Sequence, residues 1–434
     1  MVKYRAPRGT QDILPQDQPY WELLRDTIRR LCHRYGYRRI DLPLFEETSL
    51  FVRGVGEATD IVEKEMYSFK DKGGDSLTLL PEATASVVRA YLEHGMHVLP
   101  QPVKLYTILP NFRYDRPQAG RFRQFHVFDA EALGEQDPAL DAEVISLAWR
   151  FYRELGLHGL TLQLNSIGDE KCRPGYILAL TAYFRQHRNR LGATDRQRLR
   201  RNPLRLLDSK EKGLQPLVAQ APRSVDHLCG ECARHFSTLR GYLEDLGMPY
   251  QLNYRLVRGL DYYTKTVFEF WAPGIGAQNA VGGGGRYDGL VEQLGGPPIP
   301  AIGFALGLER IVLTMQQQRP DARGLENQQG PQVFVAYRGE EARKEALLLA
   351  ESLRERGLRA RMGFGNHSLK AQMRQADREG AFLAAILGEE ELSSGRVTLR
   401  QLSSGEETQI ERGELISWLK RLLAPRPLEK LSES

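Results

Sequence analysis

Leu256-Val257-Arg258-Gly259-Leu260-Asp261-Tyr262-Tyr263-Thr264-Lys265-Thr266-Val267-Phe268-Glu269 gathers a fixed cation, a carboxylate and two phenols into one run. From Thr264 to Phe270 β-branched and aromatic residues dominate, the composition of a strand. Arg258 to Asp261 stand at the Gly-punctuated turn before it, so their polar groups project from a rigid edge. A buried guanidinium needs an anion, because an isolated charge is costly to remove from water. Two partners satisfy the run on its own terms: the neighbouring Asp261, or the phosphate of a ligand.

Upstream, residues 104 to 133 read as two antiparallel strands, since Asp115-Arg116-Pro117-Gln118-Ala119-Gly120 interrupts two aromatic-rich runs. Such a hairpin brings Arg113 and Arg121 near each other. Further back, Pro19 to Tyr35 reads as an amphipathic helix, followed by Gly36 and a strand from Tyr37 to Leu42 that ends at Pro43. From about 170 to 250 the chain becomes helical and Arg-rich, with Arg185, Arg188, Arg190, Arg196, Arg198, Arg200, Arg201 and Arg205 in quick succession. A charge run of this kind is ordinarily a solvated helical face. Between Met315 and Pro331 Gln, Arg, Asn and Gly replace apolar residues, which marks a linker. Beyond it, strand-like Gln332–Tyr337, helix-like Glu340–Arg356, strand-like Arg359–Met362, helix-like Ser368–Arg378 and strand-like Phe382–Leu387 alternate as βαβαβ units, the pattern of a largely parallel sheet.

Composition is that of an ordinary globular chain: 434 residues, 41% hydrophobic, 26% charged, with a net charge of +5 that suits a polyanionic partner without requiring one. Four cysteines are too few for a disulfide framework, and no apolar run approaches the ~20 residues needed to span a bilayer, so a cytoplasmic protein is expected. Cys229-Gly230-Glu231-Cys232, with His227 and His235 nearby, invites a zinc reading. Structural zinc usually clips two separated pairs together, whereas Cys232 and His235 fall at helical spacing within one helix reaching Leu246. The run is therefore read as a helix start with two partly buried thiols, and no metal site is assigned.

The opening run resembles the signature of histidyl-tRNA synthetases, a class II aminoacyl-tRNA synthetase family, and the same family's other motifs follow in order. They are Arg8-Gly9-Thr10-Gln11-Asp12, Leu79-Leu80-Pro81-Glu82-Ala83-Thr84, Phe112-Arg113 through Gly120-Arg121-Phe122-Arg123-Gln124-Phe125-His126, Gly282-Gly283-Gly284-Gly285-Arg286-Tyr287-Asp288-Gly289 and Gly303-Phe304-Ala305-Leu306-Gly307-Leu308-Glu309-Arg310. The resemblance implies an α+β catalytic domain with a central antiparallel sheet over residues 1–320, carrying a helical insertion at 170–250 that contacts the tRNA acceptor arm. It further implies a linker at 321–331, an α/β anticodon-binding domain at 332–424 and a flexible tail at 425–434. A homodimer, with the first helix–strand–Pro segment at its interface, belongs to the same expectation.

The implied reaction ligates L-histidine to tRNA(His) through a histidyl-adenylate, with ATP accompanied by Mg2+, releasing AMP and diphosphate. By resemblance Arg113 and Arg258 stabilise the α-phosphate as catalytic residues and also contact histidine, Arg121 and Arg310 grip the γ-phosphate, Phe125 stacks on adenine and Asp115 contacts it. Glu131 and Tyr263 pair with the imidazole nitrogens, Glu82 and Thr84 receive the α-ammonium, and Ala83, Val127, Tyr262 and Tyr287 complete the histidine pocket. No P-loop motif is present, so nucleotide binding rests on the arginines, whose planar forks match phosphate oxygens. Singly, each motif also has a plainer reading: Glu82 after Pro81 as a helix-capping carboxylate, Gly282–Gly285 as a flexible turn, Arg310 as a surface residue near a helix start.

Several positions depart from the family pattern. Val127 stands where a Gln usually holds the α-ammonium, which predicts weaker histidine binding; Leu80 replaces an Arg, Ala83 a Gly and Asp115 a Glu. The competing reading is a silent paralogue serving as a regulatory subunit of ATP phosphoribosyltransferase. It fits poorly with the retained arginines and the C-terminal domain. A nucleic-acid-binding protein without catalysis rests on the basic balance alone.

Overall fold

Residues 4–57, 59–118, 120–209, 211, 213–272, 280–318 and 330–423 are described by the computed structural model; most of the expected linker and the expected tail lie outside them. The chain divides into a unit spanning Met1–Pro320 and another spanning Asp321–Ser434.

The first unit contributes, in chain order, β1 (Arg38–Arg39), β2 (Phe45–Glu47), β3 (Ser68–Lys70), β4 (Ser76–Leu79), β5 (Val103–Phe112), β6 (Gln124–Leu133), β7 (Thr161–Ser166), β8 (Tyr250–Leu252), β9 (Thr264–Trp271), β10 (Ala280–Arg286) and β11 (Ala301–Gly307). Eight of them form one sheet in the order β1-β5-β6-β11-β10-β9-β7-β8. Every interior seam is antiparallel and only the edge pairs β1–β5 and β7–β8 are parallel. The expected hairpin is β5–β6, paired from Val103↔Leu133 to Phe112↔Gln124. The expected strand at Tyr37–Leu42 shrinks to Arg38–Arg39, although the Ile40 N–H still donates to Tyr106 O at 2.9 Å. The remaining three strands form a small antiparallel sheet, β2-β4-β3.

One face of the large sheet is closed by the helix Pro138–Glu154. Asp137 caps it by accepting from the Ala139 N–H at 2.8 Å, and Pro138 at the first turn gives up an N–H that would be unpaired anyway. Its buried Val144, Ile145, Leu147, Ala148 and Phe151 meet the sheet, with Phe151 edge-on to Phe128 of β6 at 5.3 Å between centroids. The helix Gln18–Arg34 buries Trp21, Leu24, Ile28 and Leu31 at helical spacing. It ends where Gly36 takes a positive φ of 76°.

Gly282–Gly285 is not a turn but part of the central strand β10, between β9 and β11. A Cβ on Gly284 would collide with the Gly303 carbonyl, so only glycine admits this spacing. The insertion is helical as expected, with helices Arg173–Gln186, Ala193–Arg201, Gln215–Ala219 and Gly230–Asp245. Tyr176, Leu180, Phe184, Leu206, Leu217 and Val218 give it a small core of its own. The compositional break placed at Met315 comes later in the structure. Helix Leu308–Gln318 runs through it, because Met315 still lies on the buried face at 2% exposure.

The second unit contains β12 (Val333–Tyr337), β13 (Ala360–Met362), β14 (Leu383–Leu387), β15 (Arg396–Gln401) and β16 (Glu407–Glu411), ordered β13-β12-β14-β15-β16. Its first three strands are parallel, joined through helices Glu340–Glu355 and Leu369–Arg378. β15 and β16 add an antiparallel edge that the sequence reading, which ended at Leu387, did not include. Gln372 is buried between strand and helix. Its amide donates to Tyr337 O at 2.9 Å and His367 O at 3.0 Å, and its oxygen accepts from the Tyr337 N–H at 3.1 Å.

Candidate active site

β5, β6, β10 and β11 and the segments next to them line two adjoining cavities of about 410 and 310 Å³. Alternation along β6 sends Val127, Asp129 and Glu131 to one face, and all three line the larger cavity. Glu131 sits 1% exposed at the end of this row. Its carboxylate accepts from Thr84 Oγ1 at 2.6 Å and from the Tyr287 hydroxyl at 2.6 Å. Burial raises its pKa to about 7, against the opposing effect of these donors. Gly303 pairs with Glu131 in register, and any Cβ there would occupy the place of the carboxylate.

Glu82 combines two duties. Its oxygens accept from the Thr84 N–H at 3.1 Å and the Ala85 N–H at 2.9 Å, which caps helix Thr84–Glu93, so the plain capping reading holds. It also accepts from the Tyr262 hydroxyl at 3.2 Å and faces the cavity beside Ala83 and Thr84. Burial raises its pKa, partly offset by the Ala85 N–H and by Arg113. Tyr262 lies against both Tyr263 and Tyr287, with ring centroids at 4.8 and 5.7 Å, so three phenols wall one side.

The two tyrosines are aimed by an irregularity. Pairing slips between Gly285↔Val267 and Arg286↔Thr264, and Lys265 at the bulge takes a φ of 46°, a strained setting for a side chain with a Cβ. That setting is held by Lys265 N–H donating to Gly168 O at 2.8 Å and Lys265 O accepting from Ile167 N–H at 2.9 Å. The chain turns there from strand β9 into the run that delivers Tyr263, Tyr262 and Arg258.

Four arginines gather where the cavities meet. Arg113, Arg121 and Arg258 line both, and Arg310 lines the smaller one. Arg113 donates through Nε to Pro81 O at 2.8 Å and lies over the Phe125 ring at 5.6 Å. Burial lowers its pKa. Arg258 does not pair with Asp261, which accepts from Asn202 Nδ2 at 3.2 Å; its carboxylate partner is Glu269 on β9. Burial works against the Arg258 charge, but Tyr263 and Glu269 beside it more than offset this, and its pKa rises. Arg121 is paired with Asp115. Arg310 donates to Gly120 O at 2.9 Å and Ala280 O at 2.5 Å, held at the start of the helix following β11. Every residue to which the resemblance gives a role in holding histidine or ATP therefore lines one of the two cavities.

Other lining residues, Asp129, Arg198 and Arg205 among them, were given no role in the site by the sequence. Asp129 is 1% exposed, with Oδ1 buried and unpartnered, and burial together with the neighbouring Glu131 carries its pKa well above the usual carboxylate range. A period-two reading from Glu131 back to Val127 would have found it. Arg198 and Arg205 of the insertion also reach the larger cavity, Arg205 pairing with Asp60 at 3.1 Å. Their neighbours Arg185, Arg188, Arg190, Arg196 and Arg200 remain exposed.

A cavity ringed by guanidinia can hold a triphosphate in a fixed pose. The adjoining pocket of buried carboxylates and phenols suits a small polar ligand with both an ammonium and a hydrogen-bonding ring. The chain matches the family described as Histidyl-tRNA synthetase over residues 9–168 and 184–311, and the family described as Anticodon binding domain over residues 332–422. It is 52% identical over 418 residues to a histidine--tRNA ligase of Dehalococcoides mccartyi, covering 96% of this chain and 99% of that one. It is 53% identical over 415 residues to the corresponding ligase of Desulforudis audaxviator, at 96% and 98% coverage. The crystal structure of apo Staphylococcus aureus histidyl-tRNA synthetase superposes with a TM-score of 0.81 at 38% identity, covering 97% of this chain and all of that one.

Proposed function

Because the chain belongs to the histidyl-tRNA synthetase family, we propose that it activates L-histidine with ATP and transfers it to tRNA(His), as a class II histidine–tRNA ligase. The observation that carries this reading is the junction of the arginine-ringed cavity with the pocket around Glu131. A histidine carboxylate entering from that pocket meets the α-phosphate between Arg113 and Arg258, on opposite walls. The displacement needs alignment and charge stabilisation more than covalent help, and fixed guanidinia give both.

Arg121 and Arg310 then hold the γ-phosphate, and adenine lies on Phe125 near Asp115. Glu131 accepts the imidazole N–H while Tyr263 faces the other nitrogen, with Tyr287 and Thr84 fixing the Glu131 carboxylate in place. Glu82, Thr84 and Asp129 surround the α-ammonium; the buried, unpartnered Asp129 Oδ1 supplies the acceptor that Val127 cannot. Pocket groups of this kind reject side chains that leave them buried and unpaired.

Magnesium fits in one way. The carboxylates lining the smaller cavity, Asp115 and Glu309, are already paired with Arg121 and with His126, whose N–H reaches Glu309 at 2.8 Å. The ion would therefore be carried chiefly by the nucleotide phosphates, whose negative charge it screens as pyrophosphate leaves.

The exposed insertion arginines suit the tRNA backbone, and the second unit suits an anticodon-binding role. A homodimer is supported by the exposed apolar Leu44, Phe45 and Phe69 around the small sheet, and by the first motif. None of the described helices is long and apolar enough to cross a membrane, which is compatible with a cytoplasmic enzyme. The regulatory-paralogue reading is not favoured. ATP–pyrophosphate exchange with each of the twenty amino acids is the test: exchange with histidine alone is expected, and no exchange in protein that binds histidine would overturn the assignment.

A further inference from the structure

The helical insertion begins and ends at the same point. Asp169 and Cys172 follow β7 at the start of helix Arg173–Gln186, and Cys229 and Cys232 open helix Gly230–Asp245 at the far end of the insertion. One carboxylate oxygen and three sulfurs from these residues all lie within 4.8 Å of one another. Asp169, Cys172 and Cys232 are buried and Cys229 half-buried. None of the four cysteines is in a disulfide.

We propose that Asp169, Cys172, Cys229 and Cys232 form a structural zinc site that clasps the two ends of the insertion together beneath the strand leading to Tyr263. The sequence showed one Cys-x-x-Cys and no partner for it; the fold supplies the partner as Asp169-x-x-Cys172. The flanking histidines are not the missing ligands. His235 Nε2 is 2.9 Å from an Asp141 oxygen, and His227 lies against the Tyr176 ring at 5.6 Å.

The geometry suits a tetrahedral ion. Zn–S bonds of about 2.3 Å and Zn–O bonds of about 2.0 Å put ligand atoms roughly 3.5–3.8 Å apart. Asp169 Oδ1 and Cys172 Sγ are already 3.3 Å apart, and the remaining spacings close by small side-chain rotations. Backbone donors are aimed at two sulfurs, Asp169 N–H to Cys172 Sγ at 3.4 Å and Cys232 N–H to Cys229 Sγ at 3.5 Å. Such N–H···S bonds favour thiolate over thiol. Gly168, with a φ of 70°, leaves room for this approach, since a Cβ there would sit 2.6 Å from Cys172 Sγ.

Three thiolates and a carboxylate around a dication leave excess negative charge, and cations surround the cluster. Lys171 and Lys265 both reach Glu231, between the two cysteines, at 3.1 and 3.2 Å. Arg173 donates to Gly168 O at 3.2 Å and to the Tyr263 carbonyl. The proposed ion thus lies one residue's reach from the backbone of a histidine-pocket residue. Soft thiolates with one oxygen favour zinc over hard cations such as magnesium or calcium.

The test uses the full chain, purified reduced and without chelators from zinc-supplemented cells, with metals measured by plasma mass spectrometry. One zinc per chain is expected. Cobalt added to the stripped protein should give a thiolate-to-metal charge-transfer band in the near ultraviolet and tetrahedral d–d bands in the visible. Cys229→Ser should lose the zinc, whereas Asp169→Cys should keep it and strengthen the charge-transfer band by about one third, one thiolate being added to three. The Asp169→Cys spectrum decides the matter even if the serine variant fails to fold. Wild-type protein with less than about a tenth of an equivalent of zinc and no cobalt band would overturn the proposal. So would zinc that stays stoichiometric in Cys229→Ser, or a cobalt band unchanged in Asp169→Cys. None of these readouts depends on histidine activation.

Discussion

Glu131→Gln separates what the pocket does for histidine from what it costs the fold. The Glu131 carboxylate is buried, with a pKa raised from 4.5 to about 7. An acid whose pKa is higher folded than unfolded holds its proton more tightly in the native state. Ionising it therefore destabilises the native state, fully above the folded pKa and hardly at all below the unfolded one. A shift of this size corresponds to about 3 kcal/mol at pH 8.5, falling below about 1 kcal/mol at pH 5. Glutamine removes the charge but keeps an oxygen for only one of the two hydroxyls, Thr84 and Tyr287, that now donate to Glu131. Reorienting the other gives back about 1–2 kcal/mol, leaving a net gain of about 1–2 kcal/mol at pH 8.5. Calorimetry should show the catalytic unit of Glu131→Gln melting about 2–6 °C higher than wild type at pH 8.5, and no higher or slightly lower than wild type at pH 5. In exchange assays the same variant should lose about 10- to 100-fold in kcat/KM for histidine, the worth of one hydrogen bond to a charged acceptor, with KM for ATP little changed. Activity within threefold of wild type would refute the imidazole pairing, and a melting difference independent of pH would refute the desolvation argument.

Asp129→Asn should raise KM for histidine by about tenfold or more in the exchange assay, leaving KM for ATP unchanged, because a cation arriving beside Asp129 favours the ionised carboxylate and an amide cannot ionise. Val127→Gln should lower the same KM roughly three- to tenfold by restoring an amide acceptor; no change in either variant would remove the ammonium from this wall of the cavity. Arg258→Lys keeps the charge but not the planar fork, so kcat should fall about 10²- to 10³-fold in single-turnover adenylate formation while histidine binding persists. In the second unit, Gln372→Leu leaves the Tyr337 N–H and carbonyl without their buried partner, a loss of about 2–4 kcal/mol; melting of that unit should drop while exchange without tRNA stays at wild-type rate.

The long, strongly patterned elements were legible from sequence because local signals agree with their tertiary setting. The β5–β6 hairpin has turn formers between its strands, and β9 is β-branched or aromatic except at Lys265 and Glu269. The short strand at Arg38–Arg39 was overcalled, because its apolar neighbours continue as irregular chain. β15 and β16 were missed because a polar, half-exposed edge pair carries little hydrophobic alternation. At the site, residues within quoted motifs were found and those depending on long-range placement were not. Asp129 was overlooked although strand alternation points to it. Arg258 was offered Asp261 as a neighbour in sequence, but the strand carries Glu269 back to it. The pairing of Asp169 and Cys172 with Cys229 and Cys232 depends on how the insertion closes, which no local pattern encodes.

The glycines of β10 have a consequence for how this enzyme could change over generations. Side chains at Gly283, Gly284 and Gly285 would strike the main chain of β9 or β11, and one at Gly303 would displace Glu131. The floor under the substrates is therefore bare peptide, closed to single-step mutational exploration. Variation in substrate preference must enter through the walls, at Val127, Asp129, Ala83 and the phenols, where a new side chain changes the pocket without unseating a strand. A scaffold built this way concentrates its adaptable positions on a few loops and one strand face, and a library aimed at another amino acid would best be confined to them.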